Sequence, residues 1–153
     1  MQDYITTYTK KHFTIMEPKM ADIDINDIAH ALSLMTRANG HFSQFYSVGQ
    51  HSVGCAYEAL ERGYSARVVL GCLLHDGSEA YMADITRPLK QHMSAYLVAE
   101  EKLQNMIFEK FLGQCPSEEE MAQIKSVDDA MLFHEFKCFM NEELDIPEHE
   151  ILT

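Results

Sequence analysis

Four residues of this chain have types and spacing that suit a metal ion: His51, His75, Asp76 and Asp128. Two imidazole nitrogens and two carboxylate oxygens match the donor preferences of a divalent first-row ion such as Mn²⁺, Co²⁺, Fe²⁺, Ni²⁺ or Zn²⁺. Such a set leaves positions open for water and a substrate oxygen, as metal-assisted catalysis requires. Singly, each residue is ordinary. A His on an amphipathic helix usually packs or faces solvent, His75-Asp76 at the end of an apolar run is equally a capped helix end, and a helical Asp is usually solvated. The weight rests on the series: a helix-borne His, then an HD pair after an apolar run, then a helical Asp.

The elements that must hold these residues are mostly helical. Ile28, Ala31, Leu32 and Met35 mark one apolar face of a helix over roughly 27–38, capped at Asn26 or Asp27 and ended by Asn39-Gly40. A second helix from about Ser47 to Glu61 carries His51 and stops at Gly63. Ser65 caps a third, whose core ARVVLGCLLHD is apolar nearly all round and is therefore expected at the centre of the fold. Gly77 follows the HD pair as a helix-ending residue does. Residues 79–92 read as short helical turns and loop around Pro88, and a long helix follows over about 93–113. Ser117 and Glu120 form a capping box after Pro116, opening a last helix to about residue 141 that carries Asp128. In the N-terminal stretch, ITTYT and IDI suit short strands or a hairpin. The expected fold is all-α: a bundle of about five to seven helices, with a small N-terminal β-hairpin as an option.

Bulk properties narrow the function. The 153 residues suit a single domain, 1–153, with 1–25 as an N-terminal embellishment and 142–153 as an acidic, solvated tail. The net charge of −12, from 24 acidic and 12 basic residues, argues against nucleic-acid polymers and anionic membranes, which select a basic face. A small phosphorylated substrate is still compatible, because a pocket needs only a few cations. Cys55, Cys72, Cys115 and Cys138 are far apart, with no CxxC, and read as reduced, mostly core thiols. The first residues lack an apolar signal core and no run is long enough to span a membrane, so a soluble cytoplasmic protein is expected. Ten methionines read as core filler. His30, His41, His92, His134 and His149 have no place in the series and are expected to be structural or exposed.

QHS at 50–52, LLHDGSEAYMADITRPLK at 73–90 and VDDAMLFHE at 127–135 resemble the HD superfamily of metal-dependent phosphohydrolases. The nearest likeness is to the branch of bacterial 5′-deoxynucleotidases and phage dATP triphosphohydrolases. The stretch DIAHALSLMTRANGHFSQFYSVGQHSV at 27–53 extends the resemblance, which covers roughly residues 4–140. It implies an HD-domain-like helical bundle with one divalent transition metal on His51, His75, Asp76 and Asp128. Asp129 is the neighbouring alternative to Asp128; the latter is preferred because Glu135 follows two turns later on the same face, the interval the family pattern has. By the same resemblance Glu79 matches the acid/base carboxylate and Asp84 a second carboxylate near the reacting phosphate. Read structurally, Glu79 is instead an N-cap or first-turn carboxylate favoured by the helix dipole.

Phosphate also calls for cations. The resemblance gives Arg37 a phosphate contact and gives Lys90 and Lys125 roles on a polyphosphate. Helix capping suits Arg37 as well, and plain solvation suits Arg87. One departure is clear: the branch often has Trp after the Arg that matches Arg37, whereas Ala38 follows here and the chain has no Trp. Phe42, Phe45 or Tyr46 are left either to stack on a base or simply to pack the loop. The implied function is metal-dependent hydrolysis of (deoxy)nucleotide phosphate esters, by a 5′-nucleotidase or a dNTP triphosphohydrolase, in a homo-oligomer (dimer or higher). Two rivals stand beside it: a hydrolase of a nucleotide second messenger, and a non-catalytic nucleotide- or metal-binding regulator.

Overall fold

The structure, a computed structural model, describes residues 2–147 and 150–153; His149 and part of the acidic tail lie outside them. The described residues form a mostly helical bundle with a two-stranded antiparallel hairpin at the N-terminal end. Strand β1 (Ile5–Thr6) pairs with β2 (His12–Phe13), in the register Ile5 to Phe13 and Thr6 to His12. The IDI segment expected as a strand is not one. Asp24 is the N-cap of helix α1 (Ile25–Leu34), its carboxylate accepting the Asn26 N–H, so IDI is where the chain turns into the helix. Asp27, a candidate cap, is buried and instead accepts the Thr9 N–H at 2.7 Å, tying the hairpin to α1. Phe13 and Ile23 are fully buried, so the N-terminal segment supplies part of the core.

Helix α1 stops at Leu34, earlier than its apolar periodicity predicts. The physical reason is a long-range pairing. Thr36 bridges Ser47, the Arg37 N–H donates to the Tyr46 carbonyl at 2.9 Å, and the Val48 N–H donates to the Met35 carbonyl at 2.8 Å. Ladder bonds therefore replace the last helical turn and bring Arg37 beside the start of α2 (Val48–Glu61). That start is fixed by a capping box in which Ser47 and Gln50 satisfy each other's backbone N–H groups.

Helix α3 (Ala66–Leu74) begins at the Ser65 cap and ends at His75. Two one-turn helices follow, α4 (Glu79–Met82) and α5 (Arg87–Lys90), then α6 (Ser94–Leu112) and α7 (Glu118–Met140). The Ser117–Glu120 capping box opens α7 as expected. Helix α3 packs on α2, α6 and α7 but is not buried all round: Leu70 and Leu73 keep over a third of their surface exposed. Two core clusters result. Phe13, Leu32, Val48, Leu74 and Ile107 belong to one, and Cys55, Val68, Cys72, Ile124 and Met131 to the other. His51 on α2 and His75 at the end of α3 fall at the seam between them.

The tail also departs from expectation. The N–H groups of Leu152 and Thr153 donate to the carboxylate of Glu58, which is fully buried, and Ile151 packs against the second cluster. The last four residues of the tail thus return to the body, held through their backbone, while residues 142–147 stay mostly exposed. No described helix is long and apolar enough to cross a membrane.

Candidate metal centre

Three helices converge on the site, each delivering its residues by the local logic above. Helix α2 presents His51 and, one turn later, Cys55, both fully buried. The end of α3 presents His75 and Asp76, where Gly77 folds its N–H back onto the Leu74 carbonyl at 2.8 Å. Helix α7 presents Asp128 and Glu135 from one face. His51 Nε2 lies 2.8 Å from Asp128 Oδ1, 3.7 Å from Asp76 Oδ2 and 3.5 Å from Cys55 Sγ. His75 Nε2 lies 3.3 Å from both Asp76 Oδ2 and Asp128 Oδ1. One donor atom from each of His51, Cys55, His75 and Asp128 lies within 4.8 Å of all the others, a group able to hold a metal ion.

Each imidazole is oriented from behind. His51 Nδ1 contacts Glu135 Oε2 at 2.6 Å, and Glu135 Oε1 accepts from Arg37 Nε at 2.9 Å. His75 Nδ1 donates to the Cys72 carbonyl at 2.5 Å. Carboxylate and carbonyl partners of this kind fix a ring's tautomer and leave Nε2 to face the centre. His75 Nε2 is buried and, despite its two oxygen neighbours, has no aligned hydrogen-bond partner. Arg87 closes the outer side, its guanidinium reaching Asp128 at 3.3 Å and Asp129 at 3.0 Å.

The local electrostatics are those of a cation site. Burial alone lowers the pKa of His75, but the carboxylates of Asp76 and Asp128 outweigh it and raise the value to about 10. Burial raises the pKa of Asp128, yet His75 and His51 together hold it well below the usual carboxylate range. Glu79 behaves oppositely. Burial, with the neighbouring charges of Asp76 and Asp84, pushes its carboxyl well above that range, and Oε2 has no partner. His75, Asp76, Glu79 and Lys90 line a cavity of about 470 Å³ that runs along α6 past Glu100 and Phe108. That volume suits a small-molecule ligand.

Asp128, not Asp129, faces the imidazoles, while Asp129 accepts from Arg87 and Lys125. Arg37 is 9% exposed, occupied by Glu135 and 3.8 Å from Asp76. Lys90 lines the cavity, paired with Glu100 at 2.9 Å. Asp84 neighbours Glu79. Lys125 is not part of this group: it bonds Asp129 at 2.6 Å and its side chain is 70% exposed. Phe42 packs on Phe136 and Phe139 of α7 and Tyr46 on Phe139, whereas Phe45 is exposed. Cys55 was expected as a core thiol. The signal that places it here is its spacing from His51, four residues along one helix, which puts both on one face. Glu135 entered only as a landmark for Asp128, because a buried hydrogen-bond partner has no motif of its own.

No family model matches the chain. Over 108 residues, 71% of its length, it is 41% identical to the uncharacterised protein YfdR of Escherichia coli K12, covering 58% of that protein. Over 106 residues, 66% of its length, it is 30% identical to an uncharacterised protein of Rhodobacter capsulatus, covering 54% of it. The chain thus spans little more than half the length of these curated relatives.

Proposed function

We propose that this chain is a metal-dependent phosphohydrolase of the HD superfamily that acts on (deoxy)nucleotides. The observation that carries the reading is His75 Nε2, buried, without an aligned hydrogen bond and flanked at 3.3 Å by Asp76 and Asp128 beside the cavity that holds Glu79. A ring nitrogen so placed, among carboxylates and a second imidazole, suits a divalent cation that displaces its proton. His51, His75, Asp76 and Asp128 would hold that ion. A divalent ion supplies Lewis acidity to a phosphoryl oxygen and acidifies water bound to it.

The chain's own groups do the rest. Glu79, whose carboxyl burial and the charges of Asp76 and Asp84 push above the usual carboxylate range, lines the cavity and would exchange a proton there, as a general acid or base must. Asp84 beside it tunes that proton. Lys90 offers positive charge to a substrate phosphate, with Glu100 holding it until then. Arg37 lies under the ligands and keeps Glu135 in place, so its part is to position His51. The two rivals, a second-messenger hydrolase and a non-catalytic binding regulator, use the same residues and differ in the ligand accepted or in turnover.

A nucleotide panel tests the reading. Protein stripped of metal and reloaded is offered dAMP, AMP, dATP and ATP. Phosphate from monophosphates marks a nucleotidase, and intact triphosphate from dATP marks a triphosphohydrolase. Glu79→Gln should keep metal affinity and lose most of the rate. Metal binding without turnover of any nucleotide, including cyclic and guanosine polyphosphate forms, would leave only the regulator.

A further inference from the structure

We infer that Cys55 is itself a ligand of this centre, a thiolate that gives the site a preference for thiophilic ions such as Zn²⁺, Co²⁺ or Fe²⁺ over Mn²⁺. The inference rests on the metal-centre reading above and names a donor that the His and Asp series lacks. Its basis is distance. Zinc-type ions bind imidazole nitrogen at about 2.0–2.1 Å and thiolate sulfur at about 2.3 Å, so at a tetrahedral angle the two donors stand about 3.6 Å apart. Cys55 Sγ lies 3.5 Å from His51 Nε2, the nitrogen that faces the cluster.

The surroundings agree. Cys55 is fully buried, so its sulfur meets the cluster rather than solvent. Its helix supplies both donors one turn apart, so the spacing is rigid. His75 Nε2, 3.3 Å from the Asp76 and Asp128 carboxylates but without an aligned hydrogen bond, sits on a side chain only 9% exposed and faces the same point, a second sign that the space takes a ligand. A soft sulfur donor discriminates among ions that carboxylates alone hold similarly: thiolates select zinc, whereas carboxylate and water ligands suit manganese. Binding deprotonates the thiol, and the proton leaves to solvent.

Cobalt reports this directly. The metal-free full chain is titrated with Co²⁺ and its absorption followed. We expect a thiolate-to-cobalt charge-transfer band in the near ultraviolet, lost in Cys55→Ser and kept in Cys138→Ser, which removes the exposed thiol beside His134. X-ray absorption of the zinc-loaded C138S protein should show one sulfur neighbour at about 2.3 Å, a result that does not depend on how well C55S folds. Cobalt bound with no charge-transfer band, or zinc with only nitrogen and oxygen neighbours, overturns the thiolate and leaves the His and Asp centre standing. A band that vanishes with C138S also overturns it. Failure of the chain to bind cobalt at all overturns the metal centre and this inference together.

Discussion

His51 is held at both ring nitrogens, by Glu135 behind and by the cluster in front, and Arg37 in turn holds Glu135. Glu135→Gln keeps the shape but removes the charge. We expect metal affinity to fall by about 10–100-fold, read by competition with a chromophoric chelator; unchanged affinity would make Glu135 a packing residue only. His75 gives a pH prediction. Its pKa rises from 6.5 to about 10 in the metal-free fold, so its contribution to stability is full below 6.5 and is lost as pH climbs through about 10. The unfolding free energy of the metal-free protein should therefore decline over that window, and less steeply in His75→Asn. Metal needs the neutral imidazole, so binding should release protons near pH 8, measurable by calorimetry in buffers of different ionisation enthalpy. No proton release would place the metal elsewhere. That Asp128 rather than Asp129 faces the imidazoles was legible in the sequence, because the interval to Glu135 fixes a helical face. The place of Cys55 beside His51 is carried by their four-residue spacing, but a buried Cys usually behaves as a small hydrophobe, so that spacing alone does not mark it out.

At the scale of elements, the caps of α2, α3 and α7 were the most legible feature, whereas α1 is capped by Asp24 and not by Asn26 or Asp27. Ser47, Ser65 and Ser117 stand where the sequence puts them, because N-capping is decided within one turn. The end of α1 was not, because the Thr36–Ser47 bridge joins segments that only the tertiary fold brings together. The hairpin was half legible: its first strand lies in ITTYT, but its partner is His12–Phe13. Helices α1 and α2 approach closely at Gly49, where an added Cβ would stand 3.3 Å from the Leu32 backbone. Backbone cannot swing aside as a side chain can. Gly49→Val should therefore destabilise the chain by about 1–3 kcal/mol, seen as a lower denaturant midpoint. A midpoint equal to wild type would mean the two helices can separate at no cost.

Over the whole molecule, a chain of net charge −12 concentrates Arg37, Arg87 and Lys90 around one acidic, imidazole-bearing seam. The same acidity made the tail read as solvated, yet residues 150–153 dock through backbone N–H groups, which hydropathy and charge do not register. Removing residues 150–153 takes those donors from Glu58, which is fully buried. A loss of about 1–3 kcal/mol is expected from the backbone donors taken from this buried carboxylate, read by thermal or urea unfolding. A truncated chain as stable as the full one would show that Arg62, bonded to Glu58 at 3.3 Å, suffices. The most direct test of the central claim is product analysis of the metal-stripped and cobalt-reloaded protein with dAMP and dATP, beside Asp128→Ala treated identically. The expected result is phosphate or triphosphate release that depends on added metal and is absent from the variant. Release that survives both chelation and Asp128→Ala would contradict a metal-dependent phosphohydrolase built on this centre.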